Sequence, residues 1–222
     1  KMQNEGKNFY FVADELTIED SGNVVALKKW ATDVGIVSDT IDFKDILYSQ
    51  DKCEFQNREG QRIDTLFKLY PWEFIFNEIN FGDYEVSTTQ IVEPMWKGML
   101  STKAILPMLW DMFKGHKNLM PAFFTEQQML EVSKSYVKKP IYSREGANIE
   151  VIKENKLIDK ADGEYGEEGY IYQEYAKMAN LDNAWYIFGT WMIGDKMEGL
   201  AIREDKTVIT KNTSFFVPHN II

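Results

Sequence analysis

Apolar residues recur along this chain with two different periods, and the changes of period mark out its elements. Asn8 to Ala13 (N-F-Y-F-V-A) is a short apolar run that reads as a buried strand. From Ile18 to Val34 the spacing becomes helical. Thr17 is placed to cap that helix, Asp20 follows three residues on, and Gly35 stands where helices close. Ile36 to Ile41 reads as the next strand, so strand, helix, strand predicts a small α/β unit with a parallel pairing. Phe55 and Ile63 to Tyr70 flank the turn signal Asn57-Arg58-Glu59-Gly60, which predicts a hairpin. Pro71 then starts a helix that Gly82 ends.

Ile91 to Lys97 opens the second half. A helix over Ser101 to Lys114 places Ile105, Met108, Leu109, Met112 and Phe113 on one face, with Gly115 to stop it and Pro107 loosening its first turn. Lys103 lies at its beginning, against the helix dipole, a small cost that a bound anion would remove. Thr125 to Ser133 is a short helix. Strands follow at Asn148 to Ile152, Tyr170 to Tyr175, Trp185 to Ile193, Gly199 to Arg203 and Val208 to Thr210, with a Gly-rich excursion at Asp162 to Gly169.

The stretch Ser135 to Glu150 (S-Y-V-K-K-P-I-Y-S-R-E-G-A-N-I-E) carries the densest candidate chemistry. It reads as a strand ending at Lys139-Pro140, a loop with Arg144 and Gly146, and a return strand from Asn148. Alternation puts Val137, Lys139 and Ile141 on one face and Tyr136, Lys138 and Tyr142 on the other. An ammonium among apolar neighbours is costly unless an anion meets it. Backbone N–H groups beside Gly146 and the Arg144 guanidinium suit phosphate. The plain alternative is a surface hairpin with a snorkelling lysine. Glu19-Asp20 sits at a strand-to-helix turn, where α/β folds bind ligands, although acidic residues in a first turn also simply answer the dipole. Gly199, Ala201 and Arg203 share a strand face, so Arg203 points where small residues leave room; an ordinary edge arginine would look the same.

Composition narrows the classes. The chain has 222 residues, 44% hydrophobic and 14% aromatic, enough for a substantial core in one domain or two. A net charge of −10 argues against nucleic acid and anionic membranes as partners. The lone Cys53 allows no internal disulfide and fits a reducing compartment; with only His116 and His219 beside it, no zinc site is expected. No apolar stretch is long enough to span a bilayer and no signal peptide opens the chain, so the expected address is the cytoplasm.

The order of the pieces carries more than any one of them. A lysine at a helix start, a second lysine before proline, a glycine loop, and a strand ending Tyr172-Gln173-Glu174-Tyr175 resemble the ATP-grasp ligases. Phosphoryl transfer needs cations and oriented N–H groups around a triphosphate more than a covalent nucleophile. Five segments narrow the resemblance: F-K-L-Y-P-W-E from Phe67, E-P-M-W-K from Glu93, T-K-A-I-L-P-M-L-W from Thr102, Lys139-Pro140 with Ser143 to Asn148, and S-F-F-V-P-H from Ser214. Together, in this order, they are similar to the glutathionylspermidine synthetase family.

The resemblance implies an α/β and α+β chain: a partial, substrate-binding pre-ATP-grasp unit over 1–92 and an ATP-grasp nucleotide-binding region over 93–222. It implies ATP at Lys103, Lys139, Gly146, Gln173, Glu174, Tyr175, Ala176, Val208, Ile209 and Thr210. It makes Arg144 the lid arginine and Arg203 the arginine on the transferring phosphate and acid. Glu19 and Asp20 fall where the family carries a Glu-Glu pair for its substrates; the shorter Asp20 bears on substrate identity. The implied activity is a carboxylate–amine ligase working through an acyl phosphate, on a peptide-like acid such as glutathione and a polyamine-like amine. Glu19 is a candidate general base, and the family also allows a homodimer. Its Mg²⁺ ligands belong to motifs that match nothing here. Glu78-Ile79-Asn80 matches no metal position and reads as a solvated helix face. The chain therefore reads as a C-terminal part lacking an N-terminal lobe, which would leave the apolar edge near Phe9 to Val12 exposed. The competing reading is a nucleotide-binding or interaction fragment without catalysis.

Overall fold

The computed structural model describes residues 6–13, 18–77 and 81–220. The chain divides into two compact units, Lys1–Ser101 and Thr102–Ile222. This division falls beyond the boundary at residues 92/93 drawn from the sequence. The 3-10 turn at Met95–Leu100 packs on the short helix that follows Pro71, where Gly98 lies so close to Phe76 and Trp72 that a Cβ would clash.

The first unit contains strands β1 (Phe9–Ala13), β2 (Asp39–Asp42), β3 (Leu47–Ser49), β4 (Glu54–Gln56), β5 (Thr65–Lys68) and β6 (Gln90–Val92). Its helices are α1 (Ile18–Asp33), α2 (Trp72–Ile75) and α3 (Phe81–Val86). The main sheet is parallel throughout, in the order β2-β1-β5-β6. The parallel β1–β2 pairing follows the predicted strand-helix-strand order, although β2 starts three residues later than expected. Both faces of the sheet are covered, as parallel sheets require. On one side Phe9 and Phe11 meet Val24 and Ala31 of α1; on the other Val12 and Leu66 meet Phe55, Trp72 and Ile75. Gly35 closes α1 with φ of 84°. Its N–H bonds to Thr32 O and that of Ile36 to Ala31 O, the paired pattern of a left-handed helix cap. Thr17, the expected N-cap, and Glu78 to Asn80 lie outside the described residues.

Three expectations in this unit are corrected. Phe9 to Val12 is not an exposed edge: β1 is an interior strand between β2 and β5, and Phe9, Phe11 and Val12 are buried. The hairpin over 55–70 is shorter than expected. The turn forms, with Gly60 N–H on Asn57 O, and across it Asn57 N–H donates to Gln61 O, Ile63 N–H donates to Phe55 O and Gln56 bridges Arg62. Beyond Ile63 the expected arm leaves it: β4 pairs with β3, and β5 enters the parallel sheet, where Leu66 is buried on one face and Phe67 half-buried on the other. Gly82 ends no helix; it lies inside α3.

The second unit contains β7 (Ala122–Phe123), β8 (Tyr136–Pro140), β9 (Glu150–Lys153), β10 (Lys156–Lys160), β11 (Tyr170–Glu174), β12 (Ala179–Leu181), β13 (Ala184–Ile193), β14 (Lys196–Asp205) and β15 (Phe215–Val217). Its helices are α4 (Ile105–Met112) and α5 (Glu126–Leu130). They form two antiparallel sheets, β10-β9-β8-β11-β7 and β12-β13-β14-β15. Helix α4 starts later than predicted, which puts Pro107 in its first turn, where a missing N–H costs nothing. Met108, Met112 and Phe113 are exposed, so the periodic apolar face of α4 is not a buried one; Pro107 is its buried residue. Val208 to Thr210 is irregular, and the strand added beside β14 is β15.

Candidate functional site

Strand β8 sets the site. Its register against β11 places Val137 opposite Gln173 and Lys139 opposite Ile171, and its register against β9 places Val137 opposite Val151. These residues share one face of the sheet. Lys138 is on the other face, 3.5 Å from Glu150 and 4.4 Å from the centre of the Tyr170 ring. The alternation read from the sequence therefore separates two adjacent lysines into unlike surroundings.

On the Lys139 face lies a cavity of about 270 Å³. Val137, Ile149, Val151, Ile187 and Met178 supply apolar walls, Gln173 to Ala176 run along one edge, and Val208 to Thr210 with Gly146 close it. Alternation sends the Gln173 and Tyr175 side chains to the cavity face and that of Glu174 to the opposite one, so Glu174 borders the cavity through its backbone. Lys139 Nζ donates to Gln173 Oε1 at 2.7 Å. Burial, and then the nearby charge of Lys103, push its pKa down to about 8. A buried ammonium with a second positive charge close by is a place where an anion would be favoured.

The glycine loop is packed rather than free. Gly146 has φ of 77°, and a Cβ there would stand 2.5 Å from Thr210 O. Gly163 lies so close to Ala147 that a Cβ would clash, and Asn148 Nδ2 donates to Tyr165 O. Lys103 reaches the same loop, donating to Ser143 O at 2.7 Å and Ser143 Oγ at 2.8 Å. Its own backbone N–H donates to Ile141 O.

Of the residues singled out from the sequence, Lys139, Gly146, Gln173 to Ala176 and Val208 to Thr210 line this one cavity. Lys103 stands beside it through Ser143. Arg144 does not line it. It borders a second cavity of about 540 Å³ with Lys160, Asp162, Tyr165 and Lys211. Arg203 lines neither; one of its terminal nitrogens (Nη2) donates to Lys211 O, its guanidinium lies 5.3 Å from the Phe216 ring centre, and its Nε is buried without a hydrogen-bond partner among the described residues. Glu19 and Asp20 belong to the first unit, in the first turn of α1. That turn follows β1, beside which the strand order reverses. The sequence reading missed the apolar walls Ile149, Val151 and Ile187, although their alternation was available, and Ser143, which no spacing marks as the partner of Lys103.

The lining suits a nucleotide: an apolar slot for a base, the Lys139 cation at its wall with Lys103 beside it, and a backbone cradle at Gly146 that a side chain would fill. For Mg²⁺ the fit is not found, since among the described residues no three His, Cys, Asp or Glu side chains are gathered to hold a metal ion. Among the same residues no helix is long and apolar enough to cross a membrane.

The chain resembles known proteins in both sequence and fold. Over its whole length the chain is 34% identical to a putative acid–amine ligase of Haemophilus influenzae and spans 58% of that protein. It is 28% identical to the bifunctional glutathionylspermidine synthetase/amidase of Escherichia coli, over 72% of this chain and 30% of that protein. The chain thus spans little more than half the length of the first relative and less of the second. Among solved structures, a RimK domain ATP-grasp protein from Sphaerobacter thermophilus superposes with a TM-score of 0.53 over 88% of this chain and 72% of its own, at 10% identity. That likeness establishes the ATP-grasp fold. The profile described as glutathionylspermidine synthase preATP-grasp matches residues 1–222, and the chain belongs to that family.

Proposed function

We propose that this chain forms the nucleotide-binding part, with an adjoining α/β unit, of an ATP-dependent carboxylate–amine ligase. The observation that carries the reading is the cavity in which Lys139, Gly146, Gln173 to Ala176 and Val208 to Thr210 converge. The base lies against Val151, Ile187 and Ile209, along the Gln173–Ala176 edge. Lys139 and Lys103 meet the phosphates, and Gly146 lets the backbone approach them. The carboxylate of the acid attacks the γ-phosphorus as ADP leaves, and an amine then displaces phosphate from the acyl phosphate, losing a proton as the amide forms. The side chains act by charge, with no covalent nucleophile. Arg203, whose buried Nε has no hydrogen-bond partner among the described residues, steadies the transferring phosphate, and Arg144 serves from the glycine loop. No residue of this chain is assigned to Mg²⁺, which the family implies as the ion accompanying ATP.

Glu19 and Asp20, at the carboxyl end of β1 beside the point where the strand order reverses, are the proposed substrate-binding pair, with Glu19 the candidate base for the amine. The names of the relatives support a peptide-like acid such as glutathione and a polyamine-like amine as the substrates to try. Cys53 is free, which suits a cytoplasmic setting. The test is calorimetry with a non-hydrolysable ATP analogue, followed by phosphate release with ATP, Mg²⁺, glutathione and spermidine. Saturable binding and an amide product in mass spectrometry support the reading. Binding without phosphate release makes the chain a nucleotide-binding fragment, and no binding overturns the proposal.

A further inference from the structure

Strand β14 ends at Asp205, two residues beyond Arg203 and on the same face. The Asp205 carboxylate gathers the loop that follows. Its Oδ1 accepts from the backbone N–H of Thr207 at 2.8 Å and from the Thr207 hydroxyl at 2.9 Å. Its Oδ2 accepts from the hydroxyl of Ser214, which is buried. Ser214 Oγ in turn accepts from Lys211 N–H at 2.8 Å, and Lys211 O accepts from Arg203. Between the two anchored ends lie Val208, Ile209 and Thr210, which cover the nucleotide cavity, with Thr210 O against Gly146. One carboxylate thus fixes both the cover of the cavity and the oxygen that holds Arg203.

We propose that Asp205 is a positioning residue that ties the 206–214 loop shut over the nucleotide cavity and, through Ser214 and Lys211, aims Arg203. This rests on the nucleotide-binding reading above. Asp205 does not line that cavity, and it acts through the loop rather than on the ligand. Burial alone would raise its carboxyl pKa. The hydrogen bonds from Ser214 and Thr207, with the charge of Lys211, outweigh burial and hold the group below the usual carboxylate range. The tie therefore stays anionic, with both oxygens accepting, at neutral pH. Without it the Ser214 hydroxyl is buried with no acceptor and the cover loop regains its conformational freedom.

The experiment compares wild type, Asp205→Ala, Asp205→Asn, Ser214→Ala and Met129→Ala in the full chain. It measures affinity for a non-hydrolysable ATP analogue, thermal melting, and hydrogen exchange at Val208 to Lys211. Met129 is fully buried and does not line the cavity, so its truncation is the control for lost stability alone. Asp205→Ala is expected to weaken the analogue roughly tenfold to a hundredfold, the usual consequence of losing hydrogen bonds to a charged group, and to speed exchange across the cover loop. Asparagine keeps an acceptor for Thr207 and should restore most of both. Ser214→Ala should weaken binding less, and Met129→Ala should lower melting without changing affinity. Wild-type affinity and exchange in folded Asp205→Ala overturn the proposal; should that variant not fold, the same result in Ser214→Ala does so. If wild type itself binds no nucleotide, the functional reading fails. Exchange at Val208 to Lys211 then still decides whether Asp205 ties the loop.

Discussion

Lys138 and Lys139 are neighbours in sequence and opposites in environment. Lys138 is held by Glu150 and the Tyr170 ring, while Lys139 faces an apolar cavity and donates to Gln173 on the neighbouring strand. Losing a charge-assisted contact costs about 1.5–3 kcal/mol, so Lys139→Ala should weaken an ATP analogue about tenfold to a hundredfold, with Lys138→Ala near wild type. Equal effects in calorimetry would sink the argument from alternating faces. The pH dependence follows from the same burial. With a folded pKa of about 8, below the ordinary lysine value, the folded chain lacks a proton that the unfolded chain holds between about pH 8 and 10.5. The penalty of burying the charge is thus fully present below pH 8, and it is relieved as pH rises through that window, where Lys139 adds to stability. Nucleotide binding runs the other way, because a phosphate raises the lysine pKa. Affinity should be flat with respect to Lys139 below pH 8 and fall above it, with proton uptake on binding visible as a buffer-dependent heat. Lys139→Met should abolish that uptake; its persistence would assign the proton elsewhere.

At the scale of elements, local pattern carried the fold as far as each element's partners were near in sequence. The β8 and β9 pair, the capped end of α1 and the β1–β2 crossover were all legible, because periodicity, Gly35 and Pro140 act within a few residues. What failed was pairing at a distance. Thr65 to Lys68 reads equally well as the arm of a hairpin or an interior parallel strand. Only tertiary burial on both faces, against Phe67's aromatic neighbours on one side and Leu66's on the other, decides it. Lys139 and Gln173 of the candidate site were legible from strand alternation, and Gly146 and Val208 to Thr210, which lie on no strand, from the order of motifs; Ser143, Gly163 and the Asn148–Tyr165 contact bring loops together and carry no periodic signal. The glycine loop bears its own prediction. Gly146→Ala forces a Cβ to 2.5 Å from a backbone oxygen at a φ of 77°, so the loop must lift from Thr210. Analogue affinity should fall by about tenfold or more, and exchange at Ser143 to Ala147, expected to slow in wild type on saturation with analogue, should no longer slow. An alanine variant that binds and protects like wild type would show that the loop takes no part in holding the nucleotide.

For the molecule as a whole, the two units have separate cores. The first is built on Val12, Leu66, Trp72 and Ile75 with the α1 face beside it; around the cavity proposed for the nucleotide the second gathers Val151, Ala161 and Ile209. Ligand and mutation should therefore act on different parts of the melting curve. A nucleotide present at a hundred times its Kd stabilises what it binds by about 2.7 kcal/mol, and that increment belongs to Thr102–Ile222. Trp72 is almost fully buried, 4.2 Å from Lys68 Nζ and stacked near Phe76, so Trp72→Ala should destabilise Lys1–Ser101 by about 3–5 kcal/mol. Differential scanning calorimetry is expected to resolve two transitions, one raised by the analogue and indifferent to Trp72→Ala, the other lowered by the mutation and indifferent to the analogue. A single transition that moves with both would mean that the chain unfolds as one cooperative body. The motif F-K-L-Y-P-W-E, whose lysine and tryptophan stack in the first core, would then contribute to nucleotide binding through shared stability.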